Sequence, residues 1–167
     1  ALPISTFFIA PVSGGTWEVE VERHKTNRGM YRIVNPYAAW YQSVVVPNNL
    51  QSAFSLSEEK GYIVIDATDP DGVYLPLSDM GVSIDAQLQT GVVPGELAAY
   101  SLAADAMTGD NPKTLDECKK LGLCGKLVDG VVTFPAQKLL VLGLDAESAW
   151  YANYDATFCL DMSFVGA

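Results

Sequence analysis

The sequence predicts an all-β protein, an antiparallel β-sandwich of the Ig-like or a related Greek-key kind, with one short helix near residues 115–121. Three observations predict it. Apolar and polar residues alternate with period two over long stretches, as half-buried strands require. β-branched and aromatic residues gather in short runs, and Gly, Pro, Asn or Asp stand between those runs.

In "TWEVEVE", Trp17, Val19 and Val21 fall on one face and Glu18, Glu20 and Glu22 on the other. Further strands are expected in "MYRIV" from Met30, "YIVID" from Tyr62, "GVYLP" from Gly72, "VSID" from Val82, "VVTFP" from Val131 and "KLLVLGL" from Lys138. "PGELAAYSLAADAM", from Pro94 to Met107, has alanines that favour a helix. Yet Ala98, Tyr100, Leu102, Ala104 and Ala106 also alternate, and the reading leans to strand. In "YDATFCLDMSF", Tyr154, Ala156, Phe158, Leu160, Met162 and Phe164 share one face, which a helix would scatter around its circumference. The helix is "TLDECKKLG": Thr114 and Glu117 form a capping box, Lys119 and Lys120 sit near the C-terminal dipole, and Gly122 can stop it. About eight to ten strands in two packed sheets follow.

The chain has 167 residues, 49% of them hydrophobic, enough for one domain over residues 1–167, alone or as one unit of a longer chain. Twenty acidic residues against ten basic ones give a formal net charge of -10, which opposes approach to nucleic-acid phosphates and to anionic lipid. Nucleic acid is therefore not expected as a partner. No run reaches the roughly 18 apolar residues of a membrane helix, so no transmembrane segment is expected. The opening "ALPISTFF" carries neither a starter Met nor a basic and apolar leader, which reads as a processed or trimmed product.

Three cysteines leave at least one unpaired within the chain. Cys118 and Cys124 are the one pair close in sequence, and a disulfide between them would stabilise by roughly 2 kcal/mol. Cys159 reads as an inert strand residue. Zinc is not expected, since the Cys118–Cys124 spacing matches no common ligand pair and His24 is the only histidine.

"IDATDPDGVYL" offers Asp66, Asp69 and Asp71 as weak metal candidates. Placing Gly72 at the glycine of a calcium loop puts Asp69 and Asp71 at ligand positions, but Ala67 and Ser78 at the first and last. Asp69-Pro70-Asp71-Gly72 instead satisfies a type I turn, so a hairpin is the better reading. "NPYAAWYQS" and "AWYANY" bring together Tyr37, Trp40, Tyr41, Trp150, Tyr151 and Tyr154, rings that can stack on sugars or fill a core. Asn35-Pro36 marks a turn before the first group, which favours exposure of Trp40 and Tyr41. Glu18, Glu20 and Glu22 have neighbours at glycosidase spacing, but regular alternation is what a solvated face looks like. His24, beside Lys25 and Arg28, reads as an exposed turn residue. There is no nucleophile elbow, and "SGGT" near Ser13 precedes a strand rather than a helix, so no catalytic residue and no cofactor are expected.

"GMYRIVNPY", "YIVIDATDPDGVYL" and "TLDECKKLGLCGKLVDGVVTFPAQKLLV" together resemble domains of uncharacterised surface lipoproteins and secreted proteins of gut-dwelling Gram-negative anaerobes. The likeness runs from about Trp17 to Val141. It implies an all-β sandwich exported through the inner membrane, lipid-anchored at the surface or held in the periplasm, and it brings no catalytic residue with it. The expected role is a non-enzymatic interaction or structural module whose partner is a glycan or another surface protein. The alternatives are a carbohydrate-binding module using Tyr37, Trp40, Tyr41, Trp150 or Tyr151, and a hydrolase.

Overall fold

The computed structural model describes residues 2–5, 16–52, 54–58, 61–84, 95–143, 149–151 and 157–162. Within them lie twelve strands: β1 (Leu2–Ser5), β2 (Thr16–Arg23), β3 (Met30–Val34), β4 (Phe54–Leu56), β5 (Tyr62–Asp66), β6 (Ser78–Ile84), β7 (Gly95–Ser101), β8 (Lys126–Val128), β9 (Val131–Phe134), β10 (Leu139–Gly143), β11 (Ala149–Tyr151) and β12 (Phe158–Asp161). They form a seven-stranded sheet, in order β5-β3-β2-β1-β12-β9-β8, and a five-stranded sheet, in order β11-β10-β7-β6-β4. All described pairings are antiparallel. One apolar core joins the two sheets, with Val19, Ile33, Ile63, Ile65, Val132, Phe134, Phe158 and Leu160 from the first and Phe54, Met80, Val82, Leu97, Ala99 and Leu139 from the second. The protein is thus an all-β sandwich. Among the described residues, no helix is long and apolar enough to cross a membrane.

Alternation places the strands as expected wherever it is long. Val19 is buried and Glu20 exposed in β2, and Phe158, Leu160 and Met162 are buried along the last strand and its end. The side chains of Trp17 and Glu18 lie outside the described residues, as do Tyr154, Ala156, Phe164 and the stretch at Ser13. The strands beyond the expected eight to ten include three-residue segments such as β4, β8 and β11, too short to show a period.

Three further expectations are corrected. "GVYLP" is no strand: Val73 and Tyr74 each make one isolated bridge, to Gly125 and Asp66. The Leu75 N–H is taken by the Ser101 side chain, and Pro76 has no N–H, so a ladder cannot continue. The stretch from Pro94 splits at Ser101 into β7 and a helix, α2 (Leu102–Ala106). Alternation of small residues cannot report that switch, because alanine suits both. The helix expected near residues 115–121 is present as α3 (Leu115–Lys120), with both arms of its capping box formed. It is not the only one, since α1 (Ala38–Trp40) also forms and runs on as a π-helical turn over Tyr41–Val45.

Gly61 and Gly81 mark a close approach between the two sheets. A Cβ on Gly61 would fall 2.4 Å from the Gly81 nitrogen, and Gly81 holds a φ of +73°. No other residue allows that contact without moving backbone.

Candidate binding site

The aspartate loop is a structural turn. The Gly72 N–H donates to the Asp69 carbonyl at 2.9 Å and the Asp71 N–H to Asp69 Oδ1 at 3.0 Å. Asp66 and Tyr74 close the hairpin through two backbone bonds, and the Tyr74 hydroxyl donates to Asp66 Oδ2 at 2.8 Å. Burial, aided by that hydrogen bond, pushes the Tyr74 phenol up to about 12. Asp69 Oδ2 accepts from Lys119 Nζ at 2.7 Å, which holds its carboxyl below the usual range. α3 packs closely on Gly72: a Cβ there would meet Lys119 Cδ at 3.0 Å and Leu115 Cδ1 at 3.2 Å, so those side chains would have to give way. Asp66 and Asp69 therefore face different partners rather than one ion. Among the described residues, no group of three or more His, Cys, Asp or Glu is placed to hold a metal.

The first aromatic cluster is core. Tyr37 and Trp40 are 1% and 0% exposed, packed edge-on with centroids 5.6 Å apart, and Trp40 meets Phe54 likewise at 5.4 Å. A sugar cannot reach either ring, which corrects the stacking expectation for both. The chain turns at Asn35, in the left-handed region at φ 48°, and enters α1 directly after it, with Tyr37 at the N-cap and Trp40 at the last position. Tyr41 is half-buried against the same core. Trp150 and Tyr151 belong to β11, paired with Val141 and Leu140, but their side chains lie outside the described residues. Cys118 and Cys124 are free thiols rather than a bridged pair; Cys118 Sγ lies 3.8 Å from the Ala103 carbonyl instead.

A groove of about 500 Å³ opens where the hairpin, β7 and α2 meet, lined by Tyr74, Pro76, Leu77, Tyr100, Ala104, Asp105, Met107 and Thr108. Its walls are mostly apolar and are held by bonds between distant segments. Val73 and Gly125 exchange two backbone bonds, of 3.0 and 2.8 Å. Ser101 caps α2, accepting the Ala104 N–H at 3.3 Å, while also bonding Leu75. Beneath α2, Ala103, Cys118 and Cys124 form a small buried cluster against which Tyr74 and Met107 pack. Leu77 stands at the groove 58% exposed. Burial, with the Asp105 carboxylate, raises the Tyr100 phenol above its ordinary value.

A second cavity, of about 550 Å³, lies at the β2–β3 turn and is lined by Glu22, Arg23, His24, Lys25, Met30, Tyr31, Arg32 and Val64. Its polar groups serve the fold. Arg32 Nε donates to Glu22 at 2.6 Å and its guanidinium sits 4.3 Å from the Tyr62 ring centroid. His24 Nδ1 accepts the N–H groups of Thr26 and Asn27 at 3.1 and 3.0 Å, shaping the turn.

Comparison with known proteins finds no matching family model, no matching curated protein and no matching solved structure.

The groove residues were not among those singled out from the sequence. In sequence, Tyr74 reads as a strand residue and Tyr100 as one member of an alternation without functional meaning. A usable signal did exist at Ser101: a serine followed by alanines and an aspartate within one turn reads as a helix N-terminus, which would have broken the strand at that point.

Proposed function

We propose that this protein is a non-enzymatic binding module, and that its ligand occupies the groove between the Tyr74–Leu77 segment and α2. The observation that carries this is the groove itself, an apolar concavity with two tyrosines and a carboxylate, built on segments cross-linked by backbone bonds. Such pockets, apolar with a few fixed polar groups, are where small ligands bind. Asp66 and Asp69 are engaged with Tyr74 and Lys119, and Asp105 is the one carboxylate of the described lining, which supports binding over a hydrolysis that needs a carboxylate pair. The resemblance to exported surface domains supports a place at the cell surface or in the periplasm, which fractionation of the producing cell checks.

The test is a screen of small neutral, cationic and anionic compounds by amide-shift mapping. Hits that converge on residues 74–77 and 104–108 support the reading, and hits scattered over the surface contradict it. A carbohydrate-binding role is the second reading, favoured by the part-exposed Tyr74 and Tyr100 rings rather than by Tyr37 or Trp40. Oligosaccharides in the same screen decide it: a saturable sugar response at the groove supports it, and silence at millimolar sugar removes it.

A further inference from the structure

We infer that the groove selects small organic cations, an ammonium group at Asp105 carried on an apolar body that lies against Tyr74, Leu77, Tyr100 and Met107. This rests on the groove being the binding site and adds the class of ligand. Among the described residues of the lining, Asp105 is the one that carries a charge, and none is Lys, Arg or His. Two of the three hydroxyls of the described lining point to the same class, while the Tyr100 phenol, raised above its ordinary value, keeps its own proton. The Tyr74 proton is committed to Asp66 at 2.8 Å, and the Thr108 hydroxyl donates to the Asp105 carbonyl at 3.1 Å. Each of these oxygens therefore offers the groove lone pairs rather than a proton. An ammonium brings donors and no acceptor, and so matches a carboxylate and two accepting oxygens. A carboxylate ligand would bring acceptors alone, and a neutral sugar mixes both. Tyrosine rings add attraction for a cation through their negative faces, and the net charge of -10 draws cations toward the molecule. A volume of about 500 Å³ suits a compound rather than a folded domain.

Three probes of nearly equal shape test this: phenethylamine, phenethyl alcohol and phenylacetate, each titrated into the whole protein and into Asp105→Asn, with amide shifts as the readout. The wild type is expected to bind the amine about fivefold more tightly than the alcohol, and phenylacetate most weakly. Asp105→Asn, an exposed position, is expected to keep its melting temperature and bring the amine within about twofold of the alcohol. Equal binding of amine and alcohol by the wild type overturns the cation selectivity while leaving the groove a binding site. An amine preference that survives Asp105→Asn also overturns it, because the selection then lies elsewhere. Failure of all three probes at the groove overturns this inference, and the wider compound screen then judges the function separately.

Discussion

Ser101 and Leu75 hold each other in both directions: the Ser101 N–H donates to the Leu75 carbonyl at 3.0 Å, and the Leu75 N–H donates to Ser101 Oγ at 3.0 Å. The same Oγ accepts the Ala104 N–H, so one fully buried side chain ends β7, starts α2 and fixes a wall of the groove. Ser101→Ala removes a helix cap and leaves the buried Leu75 N–H without its partner. The two losses together predict a cost of about 2–3 kcal/mol. Thermal unfolding should show a midpoint lower by roughly 4–10 °C. A change below about 2 °C would mean that the serine does not join these elements.

Asp69 and Lys119 predict a pH window. The Lys119 hydrogen bond lowers Asp69 from its ordinary 3.8, and the same bond raises Lys119 from 10.5. A depressed carboxyl contributes stability above its unfolded value, lost as pH falls through the folded one. A raised amine contributes below its unfolded value, lost as pH rises through the folded one. Asp69→Asn keeps the turn, since asparagine also suits its first position. The wild type should therefore exceed Asp69→Asn in melting temperature by a constant amount through the neutral range, with the gap closing in acid below the ordinary carboxyl range and again above the ordinary lysine value. A gap that is the same at all pH values would assign the effect to the turn rather than to the charges.

The thiols should be slow. Burial raises both Cys118 and Cys124 above their ordinary value of 9.0, and the thiolate is the reactive form. Counting with a disulfide reagent at neutral pH should find the half-buried Cys159 reacting first in native protein, and three thiols once denatured. One thiol in denaturant without reductant would establish a bridge in place of the free thiols, and peptide mapping would show whether it joins Cys118 to Cys124.

Trp40 carries much of the α1 end of the core. Trp40→Ala should cost about 3–5 kcal/mol by urea unfolding, as for other large buried rings. Trp40 Nε1 is buried with no hydrogen-bond partner among the described residues, so Trp40→Phe loses volume but also removes an unsatisfied donor. Its expected cost is about 1–2 kcal/mol. Equal costs for the two variants would contradict the edge-on packing on Tyr37 and Phe54.

How much was legible depends on how local the cause is. Val19 alternating with Glu20, or Phe158 with Cys159, reports burial directly because a strand's faces repeat every second residue. The turn at Asp69 was legible for a similar reason, as Asp, Pro and Gly each meet a local backbone demand. Tyr37 and Trp40 were not, because their exposure depends on how the chain leaves Asn35 and on Phe54 waiting inside. The groove was least legible of all. Tyr74 and Tyr100 are far apart in sequence and become neighbours through the bonds at Ser101 and Gly125, which no period in either segment announces.

The four methionines give the most direct test of the groove as the ligand site. Met107 lines it, Met30 lines the cavity at the β2–β3 turn, and Met80 and Met162 are buried in the core. In a spectrum of protein labelled at the methionine methyl carbons, added phenethylamine should move the Met107 signal saturably and leave the other three in place. Movement of Met30 with Met107 unchanged would contradict it, whereas stillness of all four would overturn the choice of an organic cation and leave the groove to the wider compound screen.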